Sequence, residues 1–226
     1  MTRSHRWILI AALAWAGVYV WLAGGFIGLG PTSGQTVSAS TGTAHSREIK
    51  PGLKRAVFAS GCFWCTEADF DAVKGVVATT SGYTGGRTVN PTYEAVSSGT
   101  TGHVEAVEVV YDPAVVSYEE LLRQYWRNVD PFVSHRQFCD VGAQYRPEIF
   151  VADESQRAAA LGSKARVQDQ FSARAVVVDV RDATTFYPAE DYHQDYATKH
   201  RAQYLFYRYG CGRDGSLQAI WGEKGF

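Results

Sequence analysis

Two cysteines three residues apart, Cys62 and Cys65 in the run ASGCFWCTEADF, carry the strongest chemical signal in the sequence. Gly61 precedes the first of them and a helix-like pattern follows, so Cys62 falls at a strand-to-helix turn. The free N–H groups and positive dipole end of a helix start favour a thiolate there. A thiolate is a nucleophile, but C-x-x-C spacing also suits a redox pair or half of a metal site, and a lone cysteine in such a turn is commonly a buried structural residue. A zinc site needs four ligands, and no second C-x-x-C or H-x-x-x-H completes one. DYHQDYATKH offers metal-like types in Asp191, His193, Asp195 and His200, whose plainer reading is a polar helix face. A thioredoxin-type pair would call for a cis-proline loop downstream, and none is identifiable.

Polar residues that could serve such a nucleophile are scattered in Gly-rich loops and strand starts: Tyr93 in NPTYE, Asp140 in QFCDVG, Tyr145 in AQYRP and Glu105 in GHVEAVEV. Partial burial would raise the pKa of Glu105 and suit it to donate a proton. Glu105 alternates with Val107 and Val109, while Glu108 shares the opposite face with Ala106 and Val110. Periodicity does not decide between the two glutamates.

The elements that must position these residues read as follows. RAVFAS (55–60) is a short buried strand, residues 62–74 a helix, and residues 75–84 a β-branched strand. A loop dense in turn residues leads to a strong strand at residues 103–112. Ser117 and Glu120 form an S-x-x-E capping box, which opens a helix with Tyr118, Leu121, Leu122, Tyr125, Trp126 and Val129 on one face. An irregular loop (131–145), a strand at RPEIFVA, a helix capped by Asp153, a strand at AVVVDVRDA and a short helix complete the chain, with an irregular tail after Gly210. The order β-α-β-β-α-β predicts an α+β two-layer sandwich with a split βαβ, ferredoxin-like core and helices on one face of the sheet.

The 226 residues carry a net charge of −1, and no basic stripe or RNA-binding motif argues for nucleic acid. Residues 1–30 stand apart: Arg3 and Arg6 flank an uncharged apolar run from Trp7 to Gly30, long enough to cross a bilayer as a helix. The expectation is an uncleaved signal-anchor with the remainder exported; the alternative is secretion after cleavage beyond Ala39. Residues 31–54 are a Ser/Thr/Gly-rich flexible linker, and residues 55–226 form one domain.

The assembled blocks resemble the A-type peptide methionine sulfoxide reductases. GCFWCTE is similar to that family's nucleophile motif, and SGYTGG, NPTYE, TGHVEAVEVVYDP, QYRPEIF and FYPAEDYHQDY resemble its other blocks in order and spacing. The resemblance implies reduction of the S-epimer of free or protein-bound methionine sulfoxide by a monomer without a bound cofactor. Cys62 would attack the sulfoxide sulfur, Phe63 and Trp64 would hold the S-methyl group, and Glu105 would protonate the oxygen. Tyr93 and Tyr145 would hydrogen-bond to that oxygen, with Asp140 supporting them. A second thiol would condense the resulting sulfenic acid to a disulfide, and a thioredoxin-like donor would reset it. Many relatives have a small residue in place of Cys65 and recycle through tail cysteines. Cys211, flanked by glycines, ranks first as the resolving thiol, Cys65 second and Cys139 third. Two other readings compete: a thiol–disulfide oxidoreductase using Cys62 and Cys65, and a non-catalytic binding module that keeps the fold with an unreactive Cys62.

Overall fold

The structure is a computed structural model that describes residues 49–222. Among these residues no helix is long and apolar enough to cross a membrane. The expected anchor and most of the linker lie outside them.

The strands are β1 (Lys54–Ala59), β2 (Val76–Thr84), β3 (Val104–Tyr111), β4 (Arg136–Gln137), β5 (Asp140–Val141), β6 (Glu148–Val151), β7 (Asp179–Asp182) and β8 (Tyr187–Pro188). The helices are α1 (Phe63–Asp71), α2 (Tyr93–Ser97), α3 (Tyr118–Arg127), α4 (Glu154–Gln170), α5 (Tyr196–Lys199), α6 (Arg201–Gly210) and α7 (Arg213–Trp221). Six strands form a mixed sheet in the order β7-β6-β1-β3-β2-β8; β4 and β5 pair separately as a small hairpin. The inner strands β6-β1-β3-β2 are all antiparallel, and β7 joins β6 in parallel. This is the split βαβ core expected from the element order, widened by an edge strand on each side.

The core forms where β1, β3 and β6 turn Phe58, Val107, Val109 and Ile149 toward α1, α3, α4 and α7. Phe58 is its hub, with ring centroids 4.9 Å from Phe70 of α1 and 5.5 Å from Tyr125 of α3. Full burial of an aromatic or aliphatic side chain contributes roughly 1.5–3 kcal/mol, so this stripe anchors both helices to the sheet. The capping box forms as expected, with Glu120 N–H donating to Ser117 Oγ at 3.2 Å and Ser117 N–H to Glu120 Oε2 at 2.8 Å.

Two expectations are corrected. The tail after Gly210 is not irregular: α7 buries Arg213, Leu217 and Trp221, spaced four apart along one helical face. The loop at 131–145 is partly ordered, holding the β4–β5 hairpin and a 3₁₀ turn at Ala143–Tyr145. That hairpin is seated against the start of α1. Gly61 has φ +92°, and a Cβ there would come within 2.5 Å of Gln137 Cβ. Gln137 is clipped on both sides, accepting from Asp130 N–H and donating to Asp130 C=O, each at 2.9 Å. Only glycine lets the backbone before Cys62 approach this closely.

Candidate active site

Cys62 is the N-cap residue of α1, and its carbonyl accepts from the N–H of Cys65 at 3.1 Å. Phe63 begins the helix, and its N–H donates to Glu105 Oε2 at 3.0 Å across to β3. The two glutamates of β3 are thereby told apart. Glu105 faces the helix layer and is 3% exposed; Glu108 faces the other side and pairs with Arg55 at 3.5 Å.

One cavity of about 110 Å³ is walled by Cys62, Phe63, Trp64, Tyr93, Glu105, Asp140, Tyr145 and Tyr207. All five residues expected to share a site with Cys62 and Glu105 are therefore present in it: the two aromatic neighbours, the two tyrosines and Asp140. Each comes from a different device. Tyr93 opens α2, whose N-cap Thr92 accepts from Ala95 N–H; Tyr145 ends the 3₁₀ turn; Asp140 starts β5. A larger cavity of about 410 Å³ opens on the far side of the sheet, around Arg55, Glu108 and Phe186, and its walls contain no cysteine.

Burial dominates the electrostatics. Removal from water pushes the Glu105 carboxyl up to about 8, with the Asp140 charge adding to the effect and the Phe63 N–H opposing it. At neutral pH the side chain is therefore a protonated acid inside the cavity. Burial also pushes the Cys62 thiol up, assisted by Cys65 and Glu105. Its hydrogen bond to Cys62 holds the Cys65 thiol down, with help from the Arg213 and Arg208 charges. The thiolate expected from the helix-start position thus meets an opposing desolvation cost at Cys62. Asp140 is likewise pushed up by burial, against the pull of Tyr207 and Arg213.

The four cysteines fall into two pairs, one unbonded and one bonded. Cys62 and Cys65 are both unbonded and buried. Cys211 is disulfide-bonded to Cys139, with Cα atoms 5.0 Å apart, so the first-ranked resolving thiol points to the third-ranked one rather than to Cys62.

Sequence reasoning missed several supporting residues. Trp64 is held by a stack on Tyr196, with centroids 3.7 Å apart, and by its indole N–H donating to His193 Nδ1 at 3.0 Å. His193 is 1% exposed, and burial holds its pKa down, so it stays neutral and accepts at Nδ1. Glu190 receives Tyr83 Oη–H at 2.8 Å and Tyr93 N–H at 2.9 Å, which fixes the start of α2. The polar density of PAEDYHQDY marked this segment without showing that it braces the site. Arg213 is 1% exposed, donates to Asn128 C=O at 2.6 Å and pairs with Asp69 at 3.4 Å. Tyr207 lines the cavity and bonds to Asp140, and nothing in the aromatic-rich run of α6 distinguished it.

A profile of the family described as peptide methionine sulfoxide reductase matches residues 54–225. The chain is 49% identical over 182 residues to a peptide methionine sulfoxide reductase MsrA of Bacillus licheniformis, covering 80% of this chain and 97% of that one. It is 48% identical over 172 residues to a Caulobacter vibrioides MsrA 2, covering 76% and 87%. Among solved structures, methionine sulfoxide reductase A of Corynebacterium diphtheriae superposes with a TM-score of 0.61 at 33% identity, over 67% of this chain and 77% of that one. Mxr1 from Saccharomyces cerevisiae in reduced form gives a TM-score of 0.64 at 28% identity, over 68% and 90%. A buried cysteine facing a protonated glutamate in an aromatic cavity, on this fold and with these relatives, leads to one conclusion: the chain belongs to the peptide methionine sulfoxide reductase family and is a reductase of methionine sulfoxide.

Proposed function

We propose that the reduction runs on the S-epimer through Cys62 as nucleophile and Glu105 as acid. The observation that carries this reading is the shared cavity in which the Cys62 thiol meets a carboxyl raised to about 8. A sulfoxide oxygen leaves sulfur only when protonated, so the attack needs an acid still holding its proton at neutral pH. Cys62 sulfur attacks the sulfoxide sulfur while Glu105 protonates the oxygen, with Tyr93 and Tyr145 hydrogen-bonding to it and Asp140 supporting them. Phe63 and the braced Trp64 wall the methyl group. The oxygen ends on Cys62 as a sulfenic acid and the thioether leaves.

The Cys65 thiol then displaces that oxygen as water and forms a Cys62–Cys65 disulfide. Cys65 is favoured for this step: it lies one helical turn from Cys62 with its thiol unbonded, whereas Cys211 is already bonded to Cys139. A thioredoxin-like dithiol reduces the disulfide by exchange and becomes oxidised in turn. The test is thiol-dependent reduction of the resolved S- and R-epimers of a methionine sulfoxide peptide. Turnover confined to the S-epimer and lost in Cys62→Ser is expected; equal activity of wild type and Cys62→Ser would sink the assignment.

We also propose that the domain works as a monomer outside the cytoplasm, tethered by the apolar run from Trp7 to Gly30 behind Arg3 and Arg6. A disulfide with one exposed partner suits an oxidising compartment. Carbonate-washed membranes from cells expressing the full chain should retain the protein, and external protease should digest it after outer-layer removal. Recovery of a soluble form beginning after Ala39 would favour secretion instead.

A further inference from the structure

Tyr207 meets the reacting sulfur without a part in the reaction as described. It stands on α6 and lines the same small cavity as Cys62, with its hydroxyl on the side of Asp140. The same hydroxyl donates to Asp140 Oδ2 at 2.5 Å, and the ring meets Trp64 edge-on at 5.9 Å. One helical turn later the Cys211 N–H donates to the Tyr207 carbonyl at 2.8 Å. Cys211 is bonded to Cys139, the residue before Asp140. Two distant segments are thus tied twice side by side, covalently at Cys139–Cys211 and by hydrogen bond at Asp140–Tyr207.

We propose that Tyr207 is a further catalytic residue of sulfoxide reduction, donating a hydrogen bond to the Cys62 sulfur in its attacking state, and that the Cys139–Cys211 bridge is the positioning device that keeps it there. The proposal rests on Cys62 being the nucleophile. A tyrosine hydroxyl has one proton to give. At rest Asp140 receives it. When Cys62 loses its own proton, a thiolate becomes the stronger acceptor, because hydrogen bonds to ionised groups are about twice as strong as neutral ones. Asp140 Oδ2, 2.5 Å from the Tyr207 oxygen, keeps that hydroxyl anchored at the cavity wall. The chain Asp140–Tyr207–Cys62 so offsets part of the desolvation that otherwise keeps Cys62 a thiol. The other titratable groups facing this sulfur are Cys65 on its own helix, Glu105 from β3, and Tyr93 and Tyr145 across the cavity.

The test compares wild type, Tyr207→Phe, Cys139→Ser/Cys211→Ser and the triple variant. It reads the single-turnover rate without reductant and the pH dependence of Cys62 alkylation by iodoacetamide, with near-ultraviolet circular dichroism to establish folding. Tyr207→Phe is expected to slow the single turnover about tenfold and move the alkylation midpoint upward, the scale for one lost hydrogen bond to a charged group. Cys139→Ser/Cys211→Ser should shift both in the same direction but less, about threefold in rate, and the triple variant should match Tyr207→Phe, as coupled residues do. An unchanged rate and midpoint in Tyr207→Phe would overturn the catalytic role. A normal single turnover with arrested multiple turnovers in Cys139→Ser/Cys211→Ser would overturn the positioning role and make the bridge an electron carrier. Because alkylation needs no sulfoxide, an inert Cys62 in every variant would instead strike at the nucleophile assignment.

Discussion

The two cysteine pairs of this domain differ in nearly every physical respect. Cys62 and Cys65 lie one helical turn apart on the same element, 6% and 1% exposed and unbonded. Cys139 and Cys211 come from a hairpin and a helix end, the first of them exposed, and they are bonded. The inner pair is poised by its surroundings: burial raises one thiol, and its neighbour with two arginines lowers the other. The outer pair is closed. Flanking glycines and the family's use of tail cysteines made Cys211 look like the mobile partner of Cys62. The proposed reading gives each pair its own task, with chemistry inside and architecture at the rim.

The sharpest break of this contrast is Cys62→Ser, expected to lower sulfoxide reduction by roughly three orders of magnitude or more, the scale of losing a covalent nucleophile. Glu105→Gln comes next, with a fall of about 10²–10⁴ in kcat/KM in a peptide assay. Its pH profile adds a signed test. The carboxyl is protonated below about 8, so the wild-type rate should decline as pH rises through that value. The Gln variant, having no proton to lose there, should lack that limb. Cys65→Ser should separate the steps: thioether release in one turnover stays within about threefold of wild type, while the second turnover stalls. A sulfenic acid that dimedone can trap would accumulate on Cys62, and its absence would return the resolving role to another thiol.

The outer pair should show itself mainly in stability. Cys139→Ser/Cys211→Ser opens a loop of 72 residues and is expected to cost about 2–4 kcal/mol, read as a shift of the denaturant midpoint. The smallest effect belongs to the wall of the cavity. His193→Phe leaves the Trp64 indole N–H without its acceptor, about 1–3 kcal/mol of local penalty, and should raise KM more than it lowers kcat.

Legibility in the sequence followed the strength of the periodic signal. The stripe of α3 and its capping box were readable because five apolar contacts repeat on one helical face. The four-strand core followed from element order. α7 was not readable, since its buried face leads with Arg213 and its sequence carries glycine and charge. Glu105 and Glu108 were equivalent by alternation, and only the layer on each side of β3 separates them. Cys62, its aromatic neighbours and the cavity tyrosines were found through ordered motifs. Tyr207 and the Cys139–Cys211 bridge depend on how the C-terminal helices fold back onto the hairpin, which no local pattern records.

Gly61 touches no substrate, yet it stands where the backbone of the nucleophile turn presses on the hairpin that carries Asp140. A saturation-mutagenesis screen scored on activity would therefore rank this position beside Cys62 itself. The loss would have a mechanical origin. A single added methyl group would push Gln137 off Asp130 and carry Asp140 and the bridge away from the cavity together. The residue with the least chemistry in the motif thus sets the distance between the two halves of the site, so insertions or loop grafts in the hairpin should succeed only where that spacing is kept.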